Sequence, residues 1–115
     1  MLDKKSHFAV VLFLLTLGTA YAGDCVLQVT RTSCPGKEAE SYSKCAGKQS
    51  CNQSVAVASA LLCASEAKSN CANKRYEITK YKKVTATYDG ASVEGGKDFC
   101  TGHPDYPHAN KPDCK

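Results

Sequence analysis

The eight cysteines constrain this chain more than any other feature of its sequence. All of them lie in the stretch from residue 25 to residue 114 of a 115-residue chain. An even number at this density in a short chain is typical of a disulfide scaffold. Four disulfides at about 2 to 4 kcal/mol each would match the whole net stability of a small domain, about 5 to 15 kcal/mol. We expect all eight to be cross-linked: Cys25, Cys34, Cys45, Cys51, Cys63, Cys71, Cys100 and Cys114.

The beginning of the chain has the parts of an export signal in their usual order. Lysines come first, an apolar run follows, and Ala20-Tyr21-Ala22 forms a small-residue cleavage site. The apolar run is shorter than the roughly 20 residues needed to span a bilayer. We therefore expect residues 1–22 to be a cleaved signal peptide and residues 23–115 to form one cysteine-rich domain with no transmembrane segment. The protein would then be periplasmic or secreted, in a compartment that favours disulfides over thiolate metal sites.

Residue periodicity predicts both strands and helices in this domain. Apolar residues at period two predict a first strand over residues 25–32. Helix-start signals predict a short helix over residues 37–46, closed by Gly47. An alanine-rich stretch without Gly or Pro predicts a longer helix from Cys51 or Asn52 to about residue 72.

The second half of the domain returns to the strand period. Alternation runs from Arg75 to Phe99 and is interrupted by Asp89-Gly90, a strong hairpin signal. From residue 101 to residue 115 the chain is rich in proline and polar residues, which excludes a regular element. We expect an α+β fold in which a helical hairpin packs on a short antiparallel sheet.

The cysteine spacing favours one disulfide scheme, although the sequence leaves other connectivities open. If the two helices fold back on each other around Gly47, cysteines at equal height lie side by side, because each residue rises about 1.5 Å. This geometry supplies two pairs, and the remaining four cysteines supply two more. The predicted pairs are Cys45 with Cys51, Cys34 with Cys63, Cys25 with Cys71, and Cys100 with Cys114.

A basic segment is the leading candidate for a partner-binding surface. Within the strand pattern, Lys80 and Lys82 point to one side and Lys83 to the other. Lysines on a strand are also typical of edges that avoid aggregation, which is the structural alternative. The net charge of +4 is too small to indicate nucleic-acid binding. We expect an anionic surface or an acidic protein as the partner of Tyr76, Lys80, Tyr81, Lys82 and Lys83.

The proline-rich tail supplies a candidate metal site. His103, Asp105 and His108 are ligand types for zinc or copper and lie within six residues of one another. The alternative is a solvated tail in which the histidines only titrate. No catalytic motif is present, so we expect neither an enzyme nor a cofactor. Self-assembly through the strand at residues 84–88 is a further expectation, since small sheets leave edges.

These features together predict a non-catalytic exported structural or binding protein that acts through its surface. Two alternatives from other classes stay open. One is a periplasmic metal-binding protein that uses the tail. The other is a secreted effector, toxin or inhibitor, which the composition neither supports nor excludes.

Overall fold

An antiparallel sheet forms the centre of the fold. The computed structural model describes residues 22–101 and Cys114. Within them the sheet has four strands in the order β2-β1-β3-β4. The strands are β1 (Gly23–Ser33), β2 (Ser50–Val57), β3 (Thr79–Tyr88) and β4 (Ala91–Ser92). The other elements are the helices α1 (Glu38–Ser41) and α2 (Ala60–Ser69) and two 3₁₀ turns (Ser43–Cys45 and Val93–Gly96). The expected α+β class is confirmed.

The first predicted strand is present as β1 and lies at the middle of the sheet. Its residues Cys25, Leu27 and Val29 alternate inward and are at most 2% exposed. On the neighbouring strand, Val84 lies opposite Val29 and Ala86 lies opposite Leu27. The apolar residues of the predicted period-two pattern therefore form the apolar half of one face of the sheet.

The predicted hairpin turn is also confirmed. Asp89 and Gly90 join β3 to β4 and both have positive φ, 49° and 84°, as a tight hairpin turn requires. The return strand ends after only two residues, because Glu94 and Gly95 adopt left-handed conformations in the following 3₁₀ turn.

Helix α2 covers the apolar half of the sheet. Ser59 caps its N-terminus: the Ser59 side-chain oxygen accepts a hydrogen bond from the Leu62 backbone N–H at 3.2 Å. Its buried residues are Cys63, Ala64 and Ala67. Their small side chains let the helix lie close to the strands without a large core.

Both predicted helices are shorter than expected. The first is the four-residue helix α1 followed by a 3₁₀ turn, and the second runs from Ala60 to Ser69 instead of beginning at Cys51 or Asn52. The intervening residues form β2, which pairs with β1 and places Val55 opposite Cys25. The alanine content and the absence of Gly and Pro favoured a helix locally. The backbone ladder with β1 and the partial burial of Val55 outweigh this propensity. The helices are consequently separated by a strand and are not joined directly at Gly47.

This displacement changes the disulfide pattern. All eight cysteines are cross-linked, and the predicted pair of Cys45 with Cys51 is confirmed. The other three predicted pairs are wrong. Cys34 with Cys63 assumed two helices side by side, whereas β2 separates them and Cys63 lies over β1. The last two pairs were assigned from the cysteines that this scheme left over. The observed pairs are Cys25 with Cys63, Cys34 with Cys114, and Cys71 with Cys100.

The strand at residues 84–88 is not a free sheet edge, contrary to our expectation for self-assembly. On the side away from β1, the Val84 backbone N–H donates to Asp98 Oδ1 at 3.2 Å. The Val84 carbonyl accepts from the Phe99 N–H at 2.8 Å. Thr87 and Tyr88 pair with β4. Loop and strand contacts thus occupy this edge.

Candidate functional site

The inward face of the sheet changes from apolar to cationic within one register step. Along β1 the inward position after Val29 is Arg31, and along β3 the inward position before Val84 is Lys82. These two cations lie directly opposite each other in the ladder. Like charges in a cross-strand pair destabilise a sheet. The packing of the sheet does not account for this pair.

A cavity of about 150 Å³ lies over this pair. One wall is the 3₁₀ turn that carries Lys44, and another is the loop between α2 and β3. Five of the eight lining residues are basic and none is acidic. The lining consists of Arg31, Lys44, Ala72, Asn73, Lys74, Arg75, Thr79 and Lys82.

Arg31 forms the base of this cationic cavity and is only 5% exposed. Its Nη1 donates to the Sγ of Cys45 at 3.2 Å, so the side chain is held against a disulfide. Its backbone N–H donates to the Gln49 carbonyl at 2.9 Å. Burial, together with the charge of Arg75, lowers the pKa of Arg31 from its ordinary value.

Two other cations that line the cavity are held by carbonyl groups. Arg75 Nη2 donates to the backbone carbonyl of Glu40. Lys82 Nζ donates to the Ala72 carbonyl at 3.4 Å. Burial lowers the pKa of Lys82 from 10.5 to about 8, and the charges of Arg31, Lys44 and Arg75 add to this effect. Carbonyl oxygens orient these side chains without neutralising them.

Polar contacts fix the floor and rim of the cavity. The hydroxyls of Ser41 and Thr79 share a buried hydrogen bond of 2.7 Å. Asn73 Nδ2 donates to the Thr79 carbonyl at 3.0 Å, and Asn73 Oδ1 accepts from the Arg75 N–H at 3.1 Å. These bonds tie the loop to the start of β3, which positions Arg75 over the sheet.

No carboxylate compensates the cluster within residues 22–101. Two ion pairs are present in this part of the chain, between Lys37 and Glu40 at 3.9 Å and between Lys97 and Glu94 at 3.1 Å. Both are exposed, and neither includes a residue that lines the cationic cavity. The described part of the site therefore presents several positive charges, and it is suited to hold an anion.

The residues predicted for partner binding do not all meet at this site. Lys82 lines the cationic cavity, whereas Tyr81 and the exposed Lys83 lie on the opposite face of the sheet. Lys80 Nζ lies 5.4 Å from the centre of the Tyr81 ring. Tyr76 lies in the turn before β3 and not in the strand, since Ile78 N and Thr79 N bond to the Arg75 carbonyl.

The predicted metal ligands His103, Asp105 and His108 lie outside the described residues. Within the part of the chain that the structure does describe, no group of three or more His, Cys, Asp or Glu side chains could hold a metal ion. The same part contains no helix that is both long and apolar enough to cross a membrane.

Sequence reasoning missed Arg31 and Lys44 as site residues. Lys44 comes from a distant turn and carries no recognisable signal. Arg31 does have one, because it continues the inward series of Cys25, Leu27 and Val29 at period two. An arginine at the next core-facing position of a buried strand marks the point where the core ends or a site begins.

Comparison of the chain with protein-family models, curated proteins and solved structures finds no match. A function for this protein is therefore inferred from the geometry of the cationic cavity. The four disulfides define the class at a coarse level: a small, stable protein cross-linked as extracellular proteins are.

Proposed function

We propose that this protein is a non-catalytic binding protein, exported to the periplasm or secreted, that recognises an anionic partner through the cationic cavity. The single observation that carries this proposal is the cross-strand pair of Arg31 and Lys82 on the core face of the sheet. No carboxylate within residues 22–101 pairs with either one.

The cost of this arrangement supports a role in binding. Buried charges in proteins are normally paired, because removing an ion from water is unfavourable. Here Arg31 is buried and Lys82 is partly buried, and the positive charge of Arg31 helps to lower the pKa of Lys82. Departures from the rules of sheet packing concentrate at functional sites. An anionic ligand would supply a negative charge that residues 22–101 do not provide.

The covalent framework supports the same role. The disulfide between Cys45 and Cys51 holds both the turn that carries Lys44 and the sulfur that contacts Arg31. The disulfide between Cys34 and Cys114 fastens the end of β1. A cavity whose walls are cross-linked loses little conformational freedom when a ligand binds, which raises affinity.

Binding of three anionic probes tests the proposal: a sulfated polysaccharide, polyglutamate, and vesicles containing phosphatidylglycerol. We expect at least one of them to bind at low salt and to be released as salt screens the charges. The variant Lys82→Gln should weaken binding about tenfold or more, since a hydrogen bond to a charged group contributes about 1.5 to 3 kcal/mol.

Lys83→Gln is the matched control, because it removes the same charge from the neighbouring residue on the opposite face of the sheet. It should change affinity by much less than Lys82→Gln. If neither these three probes nor a small inorganic anion binds, the proposed function is wrong. If both variants lose affinity equally, binding depends on net charge and not on the cationic cavity.

A further inference from the structure

We infer that the cationic cavity is a subsite for a single tetrahedral oxyanion, a phosphate or sulfate group, either free or carried as a monoester on a soluble molecule. This inference rests on the proposed function and specifies its ligand. The cations reach the cavity from three parts of the chain: the sheet, the 3₁₀ turn and the loop before β3. A ligand that touches all three must accept hydrogen bonds in several directions.

The number and placement of the donors favour a tetrahedral group over a carboxylate. A carboxylate offers two coplanar oxygens and one negative charge. A phosphate or sulfate group offers oxygens that point away from one another, and phosphate carries up to two charges at neutral pH. Arginine guanidinium groups bind such oxygens with paired N–H donors. Arg31 and Arg75 supply two such groups, and Lys82 adds a third cation to the lining.

The depth of the site favours an inserted group over a flat anionic surface. Arg31 is 5% exposed, so a planar array of headgroups cannot contact it without a group that enters the cavity. The volume of about 150 Å³ admits one compact group and not a polymer segment. The exposed Lys83, which a flat surface could reach, lies on the other face of the sheet. We therefore favour a soluble ligand, and membrane binding is an outcome that the experiment distinguishes.

The protonation of Lys82 gives the site a pH dependence. Arg31 from β1, Lys44 from the 3₁₀ turn, and Lys74 and Arg75 from the loop face it, and all are cationic. Burial, together with the charges of Arg31, Lys44 and Arg75, lowers its pKa to about 8. A bound anion favours the protonated amine. Affinity for sulfate, whose own charge is constant over this range, should therefore fall as pH rises above about 8.

The experiment titrates inorganic phosphate, inorganic sulfate and acetate into the full mature chain at constant ionic strength. Amide chemical shifts report where each ion binds. We expect saturable shifts of the amides around the cationic cavity, at Arg31, Asn73, Arg75 and Thr79, with phosphate and sulfate and not with acetate. Lys82→Gln should raise the dissociation constant at least tenfold and remove the loss of sulfate affinity above pH 8. Lys83→Gln should change neither.

Other outcomes would overturn the inference in distinguishable ways. Equal shifts with acetate would make the site a general anion site. Polyglutamate binding that depends on Lys82, without saturable phosphate or sulfate binding, would leave the proposed function standing and remove the oxyanion assignment. Binding to vesicles containing phosphatidic acid but not to inorganic phosphate would make the ligand a membrane surface. If no polymer, vesicle or small anion binds, both proposals fail.

Discussion

The two halves of one sheet face differ in composition although they share one alternation. In the apolar half, Leu27 and Val29 of β1 pack with Val84 and Ala86 of β3 under helix α2. In the cationic half, one step further along the same strands, Arg31 lies opposite Lys82 beneath a cavity. An inward-facing position on the sheet therefore belongs to the hydrophobic core only where another element, here helix α2, packs over it.

Disulfides support both halves, but in different ways. In the apolar half, Cys25 with Cys63 and Cys71 with Cys100 join buried elements and belong to the hydrophobic cluster itself. At the cationic end, the disulfide between Cys45 and Cys51 spans six residues and fixes a cavity wall. One set of cross-links therefore stabilises the fold, and the other set holds the groups that we expect to bind a ligand.

The largest expected effect comes from reducing all four disulfides. The apolar half is built from small residues, and without cross-links its burial would not offset the conformational entropy of the chain. We expect reduced protein to lose its helix and strand signals, measured by circular dichroism before and after complete reduction with alkylation. Unchanged secondary structure and an unchanged melting temperature after reduction would contradict this prediction, because they would show that the apolar half is stable without cross-links.

The sequence allowed prediction of β1 and the Asp89-Gly90 turn, because local alternation and turn chemistry determine them, and it placed the first helix but overestimated its length. It did not allow prediction of β2. Residues 50–57 contain no charge and no Gly or Pro, and only the ladder with β1 makes them a strand. The pair of Cys25 with Cys63 follows from that strand, and Cys34 lies 80 residues from its partner Cys114, so spacing alone could not supply these pairs.

The candidate site was predictable only in part. Lys82 stood out within a basic segment, yet the same segment also contains Lys83, which faces the other way. The site depends on the approach of Lys44 and Arg75 to Arg31, and these residues come from three separate stretches of chain. Such convergence is a property of the tertiary structure, and no local pattern encodes it.

The second expected effect is the loss of stability on truncating the apolar half. Leu27 is 2% exposed, and Leu27→Ala removes buried methyl groups and leaves a cavity. We expect it to lower the free energy of unfolding by about 2 to 5 kcal/mol, measured by urea denaturation. Leu61→Ala is the matched control, because Leu61 is 79% exposed and should cost less than about 0.5 kcal/mol. Similar losses for both variants would contradict the position of the core.

A third, smaller effect should have the opposite sign in the cationic half. Lys82→Met removes one of the two positive charges that face each other across the strands, and it keeps an apolar side chain of similar length. We expect the free energy of unfolding at pH 7, without added anion, to rise by about 1 kcal/mol, because functional groups are often retained at a cost in stability. Lys83→Met, on the exposed face, should have little effect. A net loss of stability in Lys82→Met would mean that this lysine is a structural residue and would break the contrast between the two halves.

That difference should also depend on pH. The folded protein lowers the pKa of Lys82 from 10.5 to about 8, so between these values the unfolded chain binds more protons than the folded one. The stability contributed by this site therefore increases as pH rises from about 8 toward 10.5. Below pH 8 the amine is charged in both states and the full penalty remains. The advantage of Lys82→Met over the natural chain should accordingly shrink between pH 8 and pH 10, when urea denaturation of both proteins is compared at each pH. Because all other titrating groups are common to the two proteins, their contributions cancel in this difference. An advantage that stays constant over this range would show that Lys82 keeps its ordinary pKa, and that the cationic cavity is more open to water than the burial of its side chains indicates.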